Sequence, residues 1–268
     1  MGYVDYQNSI VSTAHSVTET ERFGYLTDRI SVGALGVQAA GSLAKLVKSV
    51  QFAIDKSDAT IIILRYPAGL VSLLRDICVP GNTRIYPGGA ILYWEAPRGS
   101  GTLEDTVDAT SEIVPAERSA HAVKVIDVLE DSFKDYVNHY SANPLLRNVV
   151  VAEGYAEWAR SSMSNPLNRV FTVEAADRTV GVAIVGVSRN IWEIELASIV
   201  YASQRKGYYL KLMQRVLASA RAEGISKVVI STQSHNIAVQ RAWAKLGFRP
   251  LQSFETVHIV RGDPSRQS

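Results

Sequence analysis

A single cysteine, Cys78, rules out a disulfide within this chain and favours a reducing compartment. Its setting, LLRDICV, is apolar, so it reads as a small core residue rather than a nucleophile. No window is apolar for long enough to cross a bilayer. The first residues, MGYVDYQNSIVSTAHSV, lack a basic stretch followed by an apolar core, and Tyr6 stands where myristoylation needs Ser or Thr. These absences lead to an expectation of a cytoplasmic protein without a membrane partner. Five scattered histidines with no cysteine partners offer no zinc spacing, so no metal is expected. A net charge of +2 is too small to make nucleic acid the default partner. What is present is ordinary globular material, 47% apolar and 20% charged over 268 residues, enough for one large domain or two small ones.

Residues 1–20 are polar and patternless, and a mobile N-terminal segment is expected there. RFGYLTDRISVGAL, from Arg22, alternates as a strand does. Leu43, Leu46, Val47, Val50 and Ile54 mark one face of a helix. ATIIILRY is a continuous apolar run suited to a buried strand, a second helix is expected over Leu70–Ile77, and TRIYPGGAILYWEA reads as a strand interrupted at Pro87-Gly88-Gly89. This β-α-β-α-β order predicts a small α/β domain over 21–97. The polar, acidic stretch 98–116 reads as a linker.

A second domain is expected over 117–262, with a tail at 263–268. Ile126, Leu129, Phe133, Val137 and Tyr140 predict a helix that Asn143-Pro144 stops, and Tyr155, Trp158 and Ala159 another. RVFTVEA, a turn at Asp177-Arg178 and TVGVAIVGV form a hairpin, and WEIELASIVY is a third strand. That strand runs into Gln204-Arg205-Lys206-Gly207 and then a helix carrying Tyr209, Leu212, Met213, Val216, Leu217 and Ala220. A strand, a glycine turn and a helix start place unpaired N–H groups and a positive dipole end at one spot, which suits phosphate. The strand VVIST and a helix opening at Asn236 follow, and Gly247 stops that helix. No internal repeat is visible.

From Val123 to Val260 this order resembles the GNAT (Gcn5-related) N-acyltransferase fold, a mixed, mostly antiparallel sheet flanked by helices. The motif of that family, Gln or Arg, two residues, Gly, one residue, then Gly or Ala, is matched by Gln204-Arg205-Lys206-Gly207-Tyr208-Tyr209, with Tyr209 in the small-residue position. NIAVQRAWAKLGF, Asn236 to Phe248, matches the second signature, with Val239 where Ala is common and Trp243 where a Tyr is common. The resemblance implies an acyl-CoA co-substrate, acetyl-CoA above all. Its diphosphate would lie on the 204–209 turn, and its pantetheine arm would lie between Ile199, Val200 and Tyr201 and the strand VVIST, touching Asn236 and Trp243.

Acyl transfer to an amine needs a base, because a lysine-like amine is protonated at neutral pH. Glu193 and Glu195 share a side-chain parity with each other and with Ile199. By resemblance, Glu193 stands where family members often carry a basic glutamate; alternatively both are solvated or ion-paired. His139 is a second candidate base, or a dipole partner at a helix end. An indole has no proton to give a leaving thiolate, so Trp243 does not fit the role assigned to the matching Tyr. Tyr208 and Tyr209 are expected near the phosphate end, away from the sulfur. Within the family the look is of the TDP-fucosamine acetyltransferase type, which implies a nucleotide-linked amino sugar as acceptor. Tyr136, His139, Tyr140 and Trp158 would then flank the acceptor, or else pack two helices on the sheet. The alternatives are another small-molecule, antibiotic or protein amine, or acyl-CoA binding without catalysis. Either a monomer or a homodimer is compatible with the sequence.

Overall fold

A computed structural model gives the architecture and describes residue 3 and residues 10–98, 110–113, 117–188 and 190–262. The expected tail at 263–268, most of the 98–116 linker and residues 1–2 and 4–9 lie outside the described residues. Two compact units are found. Unit 1 holds Met1–Leu92, Val137–Val149 and Gln252–Ser268, and unit 2 holds Tyr93–Tyr136 and Val150–Leu251.

In unit 1 the elements are β1 (Val11–His15), α1 (Val17–Phe23), β2 (Thr27–Val32), α2 (Gly36–Ala40), α3 (Leu43–Lys56), β3 (Ile61–Pro67), residues 83–92 of β4 (Thr83–Pro97) and residues 252–261 of β10 (Arg249–Arg261). Strands run in the order β1-β2-β3-β10, with β2 and β3 parallel and the other two pairings antiparallel. The stripe on α3 buries Leu46, Val50 and Ile54 against Ile30, Val32, Ile62 and Leu64. A crossover helix joining parallel strands requires this arrangement.

Several expectations for this half need correction. Residues 11–20 are built into β1 and α1. Arg22-Phe23 ends α1 rather than opening a strand, because Gly24 takes φ 70° and closes the helix. Leu70–Ile77 yields only a 3-10 turn at Leu73–Arg75. β4 runs through Pro87-Gly88-Gly89 without a break. Cys78 is exposed, its backbone held by both ends of the Gln51 amide.

Residues 137–149 do not continue a helix. They form short 3-10 turns at His139–Ala142 and Pro144–Leu146, because the Asn138 and Asn143 side chains accept from the amides of Tyr140 and Leu145. They deliver polar groups into the interior of unit 1. Asn143 Nδ2 donates to His258 Nδ1 at 3.2 Å, and His258 Nε2–H to His139 Nδ1 at 2.8 Å, so the chain is satisfied with both rings neutral. Nearby, Glu19 takes both Arg29 hydrogen bonds at 2.6 Å and the Tyr140 hydroxyl at 2.5 Å. Gly88 is needed beneath this layer: a Cβ there would lie 2.9 Å from His139 Cβ and 3.2 Å from the Thr256 carbonyl.

Unit 2 contains residues 93–97 of β4, β5 (Thr110–Ile113), α4 (Arg118–Phe133), α5 (Val151–Ser164), β6 (Arg169–Ala175), β7 (Arg178–Ser188), β8 (Ile191–Ile199), α6 (Tyr208–Ala222), β9 (Lys227–Gln233) and α7 (Ile237–Lys245). The order is β9-β8-β7-β6-β5; only β8 and β9 are parallel. This is the mixed, mostly antiparallel sheet flanked by helices that the resemblance implies. The β6–β7 turn carries positive φ at Ala176 and Asp177, as a tight hairpin requires. Val125, Val128 and Leu129 of α4 and Ala156, Ala159 and Met163 of α5 cover Val170, Val182, Ile184 and Leu196. Among the described residues no helix is long and apolar enough to cross a membrane.

The buried polar layer makes unit 1 acid-sensitive. Burial depresses His258 to about 4 and holds His139 well below its usual 6.5, with Arg29 and Arg65 opposing charge on both rings and Glu19 favouring it on His258. For Glu19, burial opposes ionisation, but Arg29, Tyr140 and Ser16 outweigh it and bring the carboxyl to about 2. All three native values lie below the unfolded ones, so their stabilisation is complete above about pH 6.5 and is lost on acidification. The His258 share goes between about pH 6.5 and 4, that of His139 also is lost below about 6.5, and the Glu19 share goes between about 4.5 and 2. Urea midpoints should therefore fall steadily from pH 7 to 4, and a flat profile would contradict this packing. Gly88→Ala should cost about 1–3 kcal/mol in the same assay, through overpacking against His139.

Candidate active site

One extra residue in β8 shapes the site. Along the β7–β8 ladder Val185 faces Ile194 and Ile184 faces Leu196, which leaves Glu195 without a partner. Such a bulge shifts the side-chain alternation by one. Glu193 pairs with Gly186, and the Glu195 carboxylate also lies against Gly186, where an added Cβ would collide with it. Beyond the bulge, Leu196 joins the cluster under α4 and α5. Ile199, opposite Gly181, therefore lies on the other face from Glu193 and Glu195, contrary to the parity that unbroken alternation predicts.

The Glu195 carboxylate is held from α5. Ser162 Oγ donates to Glu195 Oε2, and Asn168 Nδ2 donates to Ser162 Oγ at 3.1 Å and to Ser162 O at 2.9 Å. Burial raises the Glu195 carboxyl above its usual 4.5, against the lowering effect of the Ser162 hydrogen bond. Ser162 and Asn168 escaped the sequence analysis. Ser162 repeats with Tyr155 and Trp158 at helical spacing, the one signal that marks it.

Next to the bulge the parallel pair opens. β8 and β9 pair from Ile191–Lys227 to Ile194–Ile230 and no further, although β8 continues to Ile199 and β9 to Gln233. Val200 N–H donates to Val180 O at 2.9 Å on the β7 side. By alternation the Ile199 amide points to the opened edge. There the Ile199 carbonyl accepts from Gln204 Nε2 at 3.2 Å, so Gln204 folds back on its own strand. The Tyr201 N–H is taken by Asp131 at 2.7 Å, while its ring is exposed beneath Lys134.

From Tyr201 the chain makes a 3-10 turn and then two left-handed residues, Arg205 at φ 61° and Gly207 at φ 84°, before α6 begins at Tyr208. Gln204, Arg205, Lys206 and Gly207 are exposed. No side chain caps α6, so the amides of its first turn, from Tyr208, Tyr209 and Leu210, have no intrahelical partner. A Cβ built on Gly207 meets nothing within 4 Å, so the space above the turn is open. Open space, unpaired amides, a helix dipole and two basic residues fit a diphosphate.

Asn236 occupies the N-cap position of α7 but does not cap it; its Nδ2 donates to Thr232 Oγ1 at 3.1 Å. Trp243 is 1% exposed and packs edge-on to Trp94. Its Nε1–H donates to the Tyr209 hydroxyl at 2.9 Å. Tyr209 thus reaches inward to α7 rather than staying with the phosphate turn, which reverses the expectation from its place in the sequence. Tyr208 is half-buried one residue earlier.

Tyr136 stands edge-on to Phe133 and Tyr155, which stack at 4.0 Å, and Trp158 lies nearly parallel to Tyr155 with 45% of its surface exposed. Phe133 and Tyr155 complete a shelf of which the sequence picked out only Tyr136 and Trp158. His139 and Tyr140 belong instead to the polar interior of unit 1.

Residues 118–249 match the family model of the acetyltransferase (GNAT) domain. No curated protein matches the chain significantly. Among solved structures, a putative acetyltransferase of the GNAT family from Novosphingobium aromaticivorans is 13% identical, over 87% of this chain and 84% of its own, with a TM-score of 0.52. A GCN5-related N-acetyltransferase from Sphaerobacter thermophilus is 12% identical over 94% and 77%, with a TM-score of 0.59. A conserved protein of unknown function from Staphylococcus epidermidis is 11% identical over 94% and 91%, with a TM-score of 0.54. Residues 118–249 of this chain are thus similar to the acetyltransferase (GNAT) domain, and the chain shares its fold with solved proteins described as members of that family.

Proposed function

We propose that unit 2 transfers the acetyl group of acetyl-CoA to the amine of a small-molecule acceptor by direct attack within a ternary complex. The acceptor class we favour is a nucleotide-linked amino sugar. The observation that carries the reading is the opening of β8 from β9 just before an uncapped, left-handed turn into α6. One feature serves an extended chain that bonds to backbone, the other a diphosphate, and they lie on consecutive stretches of sequence.

Acetyl-CoA supplies an acyl group already activated as a thioester. The first-turn amides of α6 hold its diphosphate, with Arg205 and Lys206 adding charge. The free amide edge of β8 at Ile199 and the Asn236 side chain face the pantetheine arm. The base is a carboxylate of the Glu193–Glu195 pair. Glu195 is the better poised, because burial raises its proton affinity toward the working range while Ser162 keeps one oxygen fixed. A carboxylate there takes the proton that an ammonium acceptor must lose before it attacks. The shelf of Phe133, Tyr136, Tyr155 and Trp158 offers faces and hydroxyls suited to a base or a sugar ring.

Thiol release from acetyl-CoA, measured over a panel of nucleotide amino sugars, free amino sugars and lysine peptides, tests the reading. Release with lysine peptides alone would remove the sugar acceptor; binding of acetyl-CoA with no release to any amine would leave only a binding protein. Gly207→Val should raise KM for acetyl-CoA by about 10-fold or more, since its side chain would enter the open space over the turn, and should also lower the melting temperature, because a β-branched residue is strained at φ 84° by about 1–3 kcal/mol. Glu195→Gln should lower kcat by about 10²- to 10⁴-fold. In the wild type, kcat should fall as pH drops through the raised Glu195 value, because only the ionised carboxylate accepts a proton, and that acidic limb should vanish in the variant.

A further inference from the structure

A groove of about 560 Å³ runs between the edge strand β1 and the outer side of α3, wholly within unit 1. That volume falls in the range of about 300–1,000 Å³ that small-molecule sites occupy. Val11 and Thr13, on one face of β1, form one wall, and Lys48, Phe52 and Lys56 form the other. The spacing of four residues sets those three side chains in a row along α3. Asp28 and Ser57 lie at the end where α3 stops.

The packing of α3 does not account for this row. Leu46, Val50 and Ile54 carry the contact with the sheet, whereas Phe52 is 63% exposed. A lone exposed apolar side chain is ordinary, but this ring stands between two lysines and beside a carboxylate. Neither lysine forms an ion pair among the described residues. Lys56 lies in the last turn of α3, where the dipole favours a cation, and its Nζ is 5.7 Å from the Phe52 ring centroid. Lys48, about two turns earlier, has neither support. The Asp28 carboxylate accepts from Ser57 Oγ at 2.6 Å and from His15 Nδ1–H at 3.1 Å, which leaves about two of its four lone-pair positions for a ligand.

We propose that this groove binds a nucleotide. Its base stacks on the Phe52 ring, its phosphates pair with Lys48, and its sugar hydroxyls or an exocyclic amine donate to Asp28. The Thr13 hydroxyl on the facing wall is a further donor. Other ligands use only part of the site. A wholly apolar molecule would desolvate Asp28 and two lysines without return. An acidic peptide would meet the Asp28 carboxylate, and a bare anion would make no use of Phe52. The proposal stands apart from the acetyltransferase reading of unit 2, because every residue of the groove belongs to unit 1.

Calorimetric titration of the full chain with ADP and with UDP tests it, in saturating acetyl-CoA so that a nucleotide does not compete for the Gly207 turn. Adenosine and inorganic pyrophosphate serve as partial ligands. Wild type should show saturable binding of both nucleotides, with adenosine and pyrophosphate each weaker. Phe52→Ala should weaken ADP and adenosine alike by about 10-fold. Lys48→Glu should weaken ADP by about 10-fold or more while leaving adenosine within about twofold. Both residues are exposed, so the melting profiles should not move. A photoreactive azido-ADP should label a peptide from β1 or α3. No saturable nucleotide binding, pyrophosphate bound as tightly as ADP, unchanged affinity in both variants, or labelling confined to unit 2 would each overturn the proposal. Thiol release from acetyl-CoA is read separately, so its presence or absence bears on unit 2 alone.

Discussion

Parallel strands stay together only while their slanted hydrogen bonds remain in step, and an extra residue in one of them bends it out of step. In β8 that residue is Glu195. Before it, β8 keeps its bonds to β9; after it, the two strands separate and the Ile199 edge is left with polar backbone facing a gap. The same residue brings its carboxylate against Gly186 and to Ser162, on the side covered by α4 and α5. A free backbone edge and a half-buried Glu195 carboxylate are thus two consequences of one insertion. In the proposed reading, the turn at Gly207 and the shelf of Phe133, Tyr136, Tyr155 and Trp158 complete the site that the bulge lays out.

Both units contain two parallel strands joined by a helix, and they use the arrangement differently. In unit 1, β2 and β3 pair from Thr27–Ile61 to Ser31–Arg65 without a bulge, leaving no comparable edge. The loop beyond β2 is also filled, since a Cβ on Gly36 would lie 2.8 Å from Val32 Cγ1. Unit 1 puts polar groups into its interior as hydrogen-bonded clusters, Glu19 with Arg29 and Tyr140, and Asn143 with His258 and His139. Satisfied buried networks hold one arrangement firmly, and here the network fixes residues 137–149, the segment between α4 and α5.

Much of unit 2 was legible in the sequence because its signals are local. The hairpin, the apolar stripe of α6, the β9 run and the glycine that ends α7 are periodic or punctuated patterns within short windows. The Gln204–Gly207 turn was legible for the same reason. Residues 137–149 were misjudged because Val137 and Tyr140 continue the stripe of α4, while the asparagines that end it act through side chains bonded to nearby amides. Leu70–Ile77 was misjudged because a short apolar run fits a helix and a 3-10 turn equally well.

The sequence by itself determined the strand-turn-helix that ends in Gly207, the two carboxylates of WEIEL and the lack of an acidic proton on residue 243. Each depends on residue identity and near neighbours alone. Only the tertiary structure decided where Ile199 points, since parity is counted along a ladder and the bulge is visible only against the partner strand. It also decided the companions of these residues: Ser162 and Asn168 for Glu195, the unit 1 interior for His139, and Tyr209 for Trp243. Those contacts join positions far apart in the chain, and no local pattern encodes a hydrogen bond between side chains on separate helices.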